Sequence, residues 1–335
     1  MSSESNESRN ILVTGVAGFI ASHLIKYLIK NYPNDNFIGI DKISYCSNLK
    51  NLDELSTTKN FQFHQVDITN VDGMKSIFKE FQPTIIFHLA AYTHVDHSFG
   101  NSIEFTKNNV VGTHILLELA KEFSIKMFIS MSTDEVYGSK DTISNEYTTL
   151  DPTNPYAATK AAAEHLVRSY CHSFKLPIII IRCNNVYGTH QYPEKVIPKF
   201  ILRILNGKNL EIQGSGNQLR SFIHVHDVCS AIDYIFKKGQ INEIYNIGSN
   251  TEISVLELAK IIISKFKTIN ESYIPEIHFV EDRDFNDQRY NINYDKIEKL
   301  GWKQKVDFDD GLTSTIDWHI NNIHYWPSHQ ISHLV

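Results

Sequence analysis

The chain has 335 residues, 42% apolar and 21% charged, which suits a large soluble core with a smaller companion. A formal net charge of −6, with no Lys/Arg cluster, argues against nucleic acid or an anionic membrane as the partner. Cys46, Cys171, Cys183 and Cys229 lie far apart with no CxxC pair, which excludes a disulfide frame and points to free thiols in a reducing compartment. The polar opening "MSSESNESRN" lacks the design of a signal peptide, and no apolar run is long enough to span a bilayer, so a cytoplasmic protein is expected.

Short β-rich runs alternate with helical patterns through the first half. "NILVTG" (10–15) reads as a strand and "FIASHLIKYLIKNY" (19–32) as a helix with apolar residues at helical spacing. Further strands are expected at "NFIGID" (36–41), "FQFHQVDIT" (61–69), "TIIFHLAA" (84–91), "MFISMS" (127–132) and "LPIIIIRC" (176–183). Helices are expected over 111–123 and from about 157 to 174. This alternation implies parallel strands joined by right-handed crossovers, an α/β doubly wound sheet.

After Asn185 the texture becomes richer in turn residues, then in helices, while "RSFIHVHDV" and "IYNIGS" read as strands returning to the sheet. The expected division is therefore interleaved. Residues 9–188 and 219–250 form a dinucleotide-binding domain, 189–218 and 251–325 a substrate domain, and 1–8 and 326–335 loose tails.

"LVTGVAGFIAS" places Gly15-x-x-Gly18-x-x-Ala21 between the first strand and first helix. Small residues there let backbone approach a pyrophosphate, whose charge meets the helix N-terminus. Asp41 ends the second strand at the distance where a carboxylate receives adenosine ribose hydroxyls and repels a 2′-phosphate, which favours NAD over NADP. Lys42 beside it works against that preference. Asp67 ends the third strand, where it could meet the adenine amino group or cap the following helix.

"SMSTDEVYG" (130–138) puts Thr133, Asp134 and Glu135 just beyond a buried strand, a costly place for two acids unless chemistry uses them. Tyr156 and Lys160 in "NPYAATKAAAEHL" lie four apart on one helix face. A nearby ammonium and a cationic ring would favour the phenolate, making Tyr156 a base. For both acids to reach one substrate, the chain must leave extended geometry at Asp134. Two carboxyls so close disfavour double ionisation, which keeps Asp134 protonated.

Gly15-x-x-Gly18, "HLAA" (88–91), "NNVVGT" (108–113), Ser132-Thr133 and Tyr156-x-x-x-Lys160 together resemble the extended short-chain dehydrogenase/reductases, with a Rossmann-type sheet. Thr133-Asp134-Glu135 before "VYG" resembles the nucleotide-sugar 4,6-dehydratases of that superfamily, and the likeness covers nearly the whole chain. "GFIASH", "DKISYCSNLKNL", "HSFGNSIEFTKNNVVGTH" and "FNDQRY" are most similar to plant-type UDP-glucose 4,6-dehydratases, the first half of UDP-rhamnose synthases. The dTDP-glucose enzymes typically carry Pro-Gly-His where this chain has Asp284-Phe285-Asn286, a departure that favours UDP.

The resemblance implies a UDP-glucose (or dTDP-glucose) substrate, resident NAD, a homodimer built on helices within 101–123 and 156–174, and a separate downstream epimerase/reductase. On this likeness carbon 4 would be oxidised with Tyr156 as base and Thr133 on the same oxygen. Glu135 would then remove the carbon 5 proton, Asp134 would protonate the departing 6-hydroxyl, and hydride would return to carbon 6. Carried to the cofactor by the same likeness are Gly15, Gly18, Phe19, Ile20, Asp41, Lys42, Asp67, Ile68, Leu89, Ala90, Ala91, Asn108, Ser132, Tyr156 and Lys160. Carried to the substrate are Thr93, Thr133, Asn185, Glu194, Lys195, Arg220, Asn246 and Arg283, the two arginines suiting a diphosphate. Asn109 is expected to brace backbone. No metal is expected, since the histidines 94, 97, 190, 224 and 226 fit no ligand spacing. Asp134-Glu135 argues against an epimerase, and the joint presence of Tyr156 and Lys160 against a non-catalytic NAD-sensing protein.

Overall fold

A computed structural model describes residues 8–269, 274–327 and 331. Its first half runs β1 (Asn10–Thr14), α1 (Phe19–Asn31), β2 (Asn36–Asp41), β3 (Phe61–Gln65), α2 (Val71–Phe81), β4 (Ile85–His88), α3 (Val95–Gly100), α4 (Ser102–Phe105), α5 (Gly112–Glu122), β5 (Met127–Thr133), α6 (Pro155–Phe174) and β6 (Ile178–Cys183). The second half runs β7 (Asn185–Tyr187), α7 (Val196–Leu205), β8 (Leu210–Gln213), β9 (Leu219–His224), α8 (Val225–Lys238), β10 (Ile244–Ile247), β11 (Glu252–Ser254), α9 (Val255–Ile269), β12 (Ile277–Val280), α10 (Asp295–Lys299) and α11 (Phe308–Asn321).

Seven parallel strands form the main sheet in the order β10-β6-β5-β4-β1-β2-β3. Helices cover both faces, so the central strands are apolar without alternation; all six residues of β6, "IIIIRC", are buried. The two faces are separate cores. Ile11, Val13, Leu24, Phe87 and Ile181 pack on one side, and Leu12, Ile38, Ile86, Leu117 and Ile180 on the other. Strand order reverses between β1 and β4, which opens a crevice at their carboxyl ends.

"RSFIHVHDV" departs from expectation. Only β10 returns to the main sheet, beside β6. The β9 strand instead pairs with β7 and β11 in a three-stranded sheet, and β8 pairs with β12. The alternation that marks a strand does not say which sheet it joins. A third core of Tyr187, Ile197, Phe200, Ile201, Leu258, Ile262 and Leu312 lies under these small sheets.

The strand expected over 84–91 stops at His88, and the one over 61–69 stops at Gln65. Ahead of α5, Thr106–Val111 forms a wider π turn, a distortion that tends to sit beside functional sites. Of the expected tails, residues 1–7, 328–330 and 332–335 lie outside the described residues. Trp326 and Ile331 are not loose: both are buried, against Tyr192 and Leu202. Among the described residues no helix is long and apolar enough to cross a membrane.

Candidate active site

The turn after β1 enters α1 at Gly18, which caps the helix without a side-chain hydrogen bond and leaves the first N–H groups open to a ligand. Gly15 has φ +81°, and a Cβ there would stand 3.0 Å from the Ala90 backbone. This is a cradle that only a glycine leaves open. Gly15, Gly18, Phe19, Ile20, Asp41, Lys42, Ile68, Leu89, Ala90, Ala91, Asn108, Ser132, Tyr156 and Lys160 all line the one crevice.

Asp41 is buried and accepts from the backbone N–H groups of Ala17 and Ile43 and from the Ser47 hydroxyl, while burial raises its pKa. Lys42 donates to Asn108 at 2.7 Å. Asp67 does not line the crevice; its neighbours Val66 and Ile68 do. Its carboxylate accepts the Thr69 N–H and hydroxyl and pairs with Lys42 at 3.4 Å, and Asn70, not Asp67, caps α2. Asn109 braces backbone as expected, bonding both the N–H and the carbonyl of Tyr92.

The chain leaves extended geometry where the two acids require it. Thr133 ends β5 and caps a 3₁₀ turn over Asp134–Tyr137 by accepting the Glu135 N–H at 3.3 Å. Gly138 closes the turn at φ +72°, where a Cβ would lie 2.2 Å from the Asp151 carbonyl oxygen. Asp134 is buried; it accepts from Asn184 at 2.7 Å and from Thr133 at 3.1 Å. Burial, then the neighbouring Glu135, pushes its pKa up to about 7. Glu135 opens further towards the cleft and accepts from Asn154 at 3.1 Å and Tyr290 at 3.4 Å; burial raises it as well.

Asn154 caps α6 by accepting the Ala157 N–H, with Pro155 at the first helical position. In that helix Tyr156 faces the 3₁₀ turn, where Thr133 is the group that acts to lower its phenol. Burial, followed by the Glu135 charge, raises the Tyr156 phenol above its ordinary value. Lys160 donates to the Met131 carbonyl at 2.7 Å, and burial lowers its pKa to about 8. The phenolate expected from the Tyr-Lys pairing is thus not favoured by the protein alone. A cation bound in the crevice would lower the phenol.

A second cleft shares Thr93, Glu135, Asn185, Glu194 and Lys195 with the first and adds Lys199, Arg220 and Arg283. The Arg283 Nε and one carboxylate oxygen of Glu194 are buried with no hydrogen-bond partner among the described residues. Asn246 is elsewhere. It is fully buried on β10, accepts the Tyr137 hydroxyl at 2.8 Å and lines neither cleft. Its place in "YNIGS" comes from the strand it anchors.

The histidines do converge in part. His94, His97 and Glu194 present possible ligand atoms within 4.8 Å of one another, the one such grouping among the described residues. Burial, then Lys195, depress the His94 imidazole and keep it neutral.

Several residues that position the site carried no sequence signal of their own. Glu164 and Arg182 form a fully buried pair at 2.6 Å; Glu164 also accepts the Ser132 hydroxyl, and Arg182 donates to the Tyr137 hydroxyl. Tyr290 stands inside "FNDQRY" and Asn184 directly after "LPIIIIRC", yet their partners Glu135 and Asp134 are distant in sequence.

Residues 12–315 match the family model described as GDP-mannose 4,6 dehydratase. The chain belongs to that family. It is 47% identical over 322 residues to a dTDP-D-glucose 4,6-dehydratase of Bos taurus, covering 95% of this chain and 91% of the relative. It is 48% identical over 323 residues to a trifunctional UDP-glucose 4,6-dehydratase/epimerase/reductase of Arabidopsis thaliana, and there it spans 95% of itself but 48% of the relative. A Streptomyces venezuelae dTDP-glucose 4,6-dehydratase crystallised with NAD superposes with a TM-score of 0.90 at 35% identity, covering 95% of this chain and 99% of that one. The protein is an NAD-dependent nucleotide-sugar 4,6-dehydratase, a hydro-lyase on a Rossmann-type fold. The open cradle at Gly15 and the buried Asp41 at the end of β2 fit its cofactor.

Proposed function

We propose that the substrate is UDP-glucose and the product UDP-4-keto-6-deoxyglucose, a step towards UDP-rhamnose or another deoxysugar. The observation that carries the chemistry is two adjacent carboxyls in one cleft with different surroundings: Asp134 enclosed and held near neutrality, Glu135 facing the opening. NAD, when bound, supplies a reversible hydride acceptor for the sugar.

Tyr156 takes the proton of the 4-hydroxyl, with the Thr133 hydroxyl on the same oxygen. The 4-ketone acidifies carbon 5, because the carbanion formed there is an enolate. Glu135 removes that proton, and Asp134, protonated below about pH 7, donates to the departing 6-hydroxyl; the hydride taken from carbon 4 would then return to carbon 6 while Glu135 gives a proton back to carbon 5. Asn185, Glu194 and Lys195 face the sugar from the shared wall, and Arg220 and Arg283 face the diphosphate.

Support for the uridine nucleotide comes from "FNDQRY". Phe285 lines the second cleft, and Asn286 accepts from Arg220 at 3.4 Å. The dTDP-glucose reading is kept alive by the similarity to the bovine relative, which is as strong as that to the plant one. Residues 189–218 and 251–325, joined by β9, which the fold moves out of the dinucleotide-binding half, would form the sugar-nucleotide domain. A homodimer would use the α4–α6 region, where Ile103, Val111 and Phe174 are exposed. The free thiols suit a cytoplasmic setting.

The test is to offer UDP-glucose, dTDP-glucose and UDP-N-acetylglucosamine separately in deuterated water. Loss of one water with deuterium gained at carbon 5, fastest for UDP-glucose, is expected. A faster turnover of dTDP-glucose would transfer the assignment to that donor.

A further inference from the structure

The glycine-bearing turn is held from beneath by residues far along the chain. The Ala17 carbonyl accepts the Asn51 side-chain amide at 2.7 Å and the Asn48 backbone N–H at 2.9 Å. Asn51 is fully buried. A backbone carbonyl only accepts, so Asn51 must turn its NH₂ to Ala17 and its oxygen the other way. That oxygen receives the Tyr325 hydroxyl at 2.5 Å. The Tyr325 carbonyl in turn accepts the Asn48 side-chain amide at 3.2 Å. Next to it, Trp326 packs edge-on against Tyr192, which lines the cofactor crevice, with ring centroids 5.0 Å apart.

We infer that Tyr325 is a positioning residue for the dinucleotide, fixing the Gly15–Gly18 turn through Asn51 and making the segment after α11 part of the cofactor site. Without the hydroxyl, the Asn51 oxygen is buried and unpaired. The Asn51 side chain is then held on one side only, and its grip on the Ala17 carbonyl and the turn loosens. Catalysis that withdraws and returns one hydride needs the cofactor to stay bound throughout, so a cradle held at both ends slows its escape.

The inference rests on NAD occupying this crevice, and the experiment separates the two claims. Full-length wild type and Tyr325→Phe are titrated with NAD calorimetrically, and release of bound NAD is timed after dilution. Tyr325→Phe is expected to bind NAD roughly tenfold more weakly and release it faster. The sugar-nucleotide KM should be unchanged, and kcat recovered when NAD is saturating. Asn51→Ala should give the same shift. Ile262→Val, in the core under the small sheets, lowers stability without touching the turn and should keep wild-type affinity. Wild-type affinity and release in Tyr325→Phe or Asn51→Ala overturns the inference, as does an equal loss in Ile262→Val. A wild-type protein that binds no NAD would instead overturn the cofactor site itself.

Discussion

The Asn184 side-chain amide donates to the carboxyl of Asp134 over 2.7 Å, joining the residue after β6 to the first residue beyond β5. The two strands are neighbours, with Thr133 opposite Cys183, so the contact follows from sheet register. The amide favours the charged carboxylate, yet burial outweighs it and leaves Asp134 near pH 7.

Turnover should therefore fall on the alkaline side as Asp134 loses its proton around pH 7. Asn184→Ala removes a group that stabilises the charge, so the alkaline limb should move upwards. The pH profile of kcat for both proteins checks this.

The same shift has a stability consequence. A carboxyl whose folded pKa is raised binds more protons folded than unfolded, so the contribution of Asp134 to stability falls as pH rises from the ordinary carboxyl range to about 7. Asp134→Asn should unfold at higher urea than wild type at pH 8 and lose that advantage at pH 4, while dehydration is lost.

Glu135→Gln should keep the oxidation at carbon 4 and lose at least a hundredfold in water elimination. Single-turnover absorbance of reduced nicotinamide, together with deuterium content at carbon 5, distinguishes the halves. Full-rate elimination would remove Glu135 from its role.

Arg182→Met leaves Glu164 buried and unpaired beneath Ser132. Breaking such a pair costs about 3–5 kcal/mol. Urea unfolding should show a loss of that order, and the Asp134–Tyr137 turn should loosen, since the Tyr137 hydroxyl loses its donor.

Burial depresses His23 to about 3 and His190, His224 and His319 to about 4. Unfolded, they bind protons near pH 6.5, so their stabilising effect is present above that pH and lost as pH falls towards 4. His23 holds Thr189 at 3.2 Å, between α1 and the loop leading to Glu194. Urea midpoints should drop between pH 6.5 and 4, and His190→Gln should flatten that slope.

The alternation of apolar runs and helices determined the parallel sheet, because crossover distance and two-sided burial leave few other arrangements. The glycine spacing, the Tyr-x-x-x-Lys pair and the adjacent acids were legible because each is a local geometry: a turn, one helix face, a strand end. Tertiary structure alone decided that β9 leaves the main sheet and that Asn246 braces a strand. It also decided that Trp326 is buried and that Lys160 serves the Met131 carbonyl. Each of these depends on which partner a group finds far along the chain, or on how a helix is rotated against its sheet. Local pattern carries no record of either, since burial and hydrogen-bond satisfaction are set only once the elements pack.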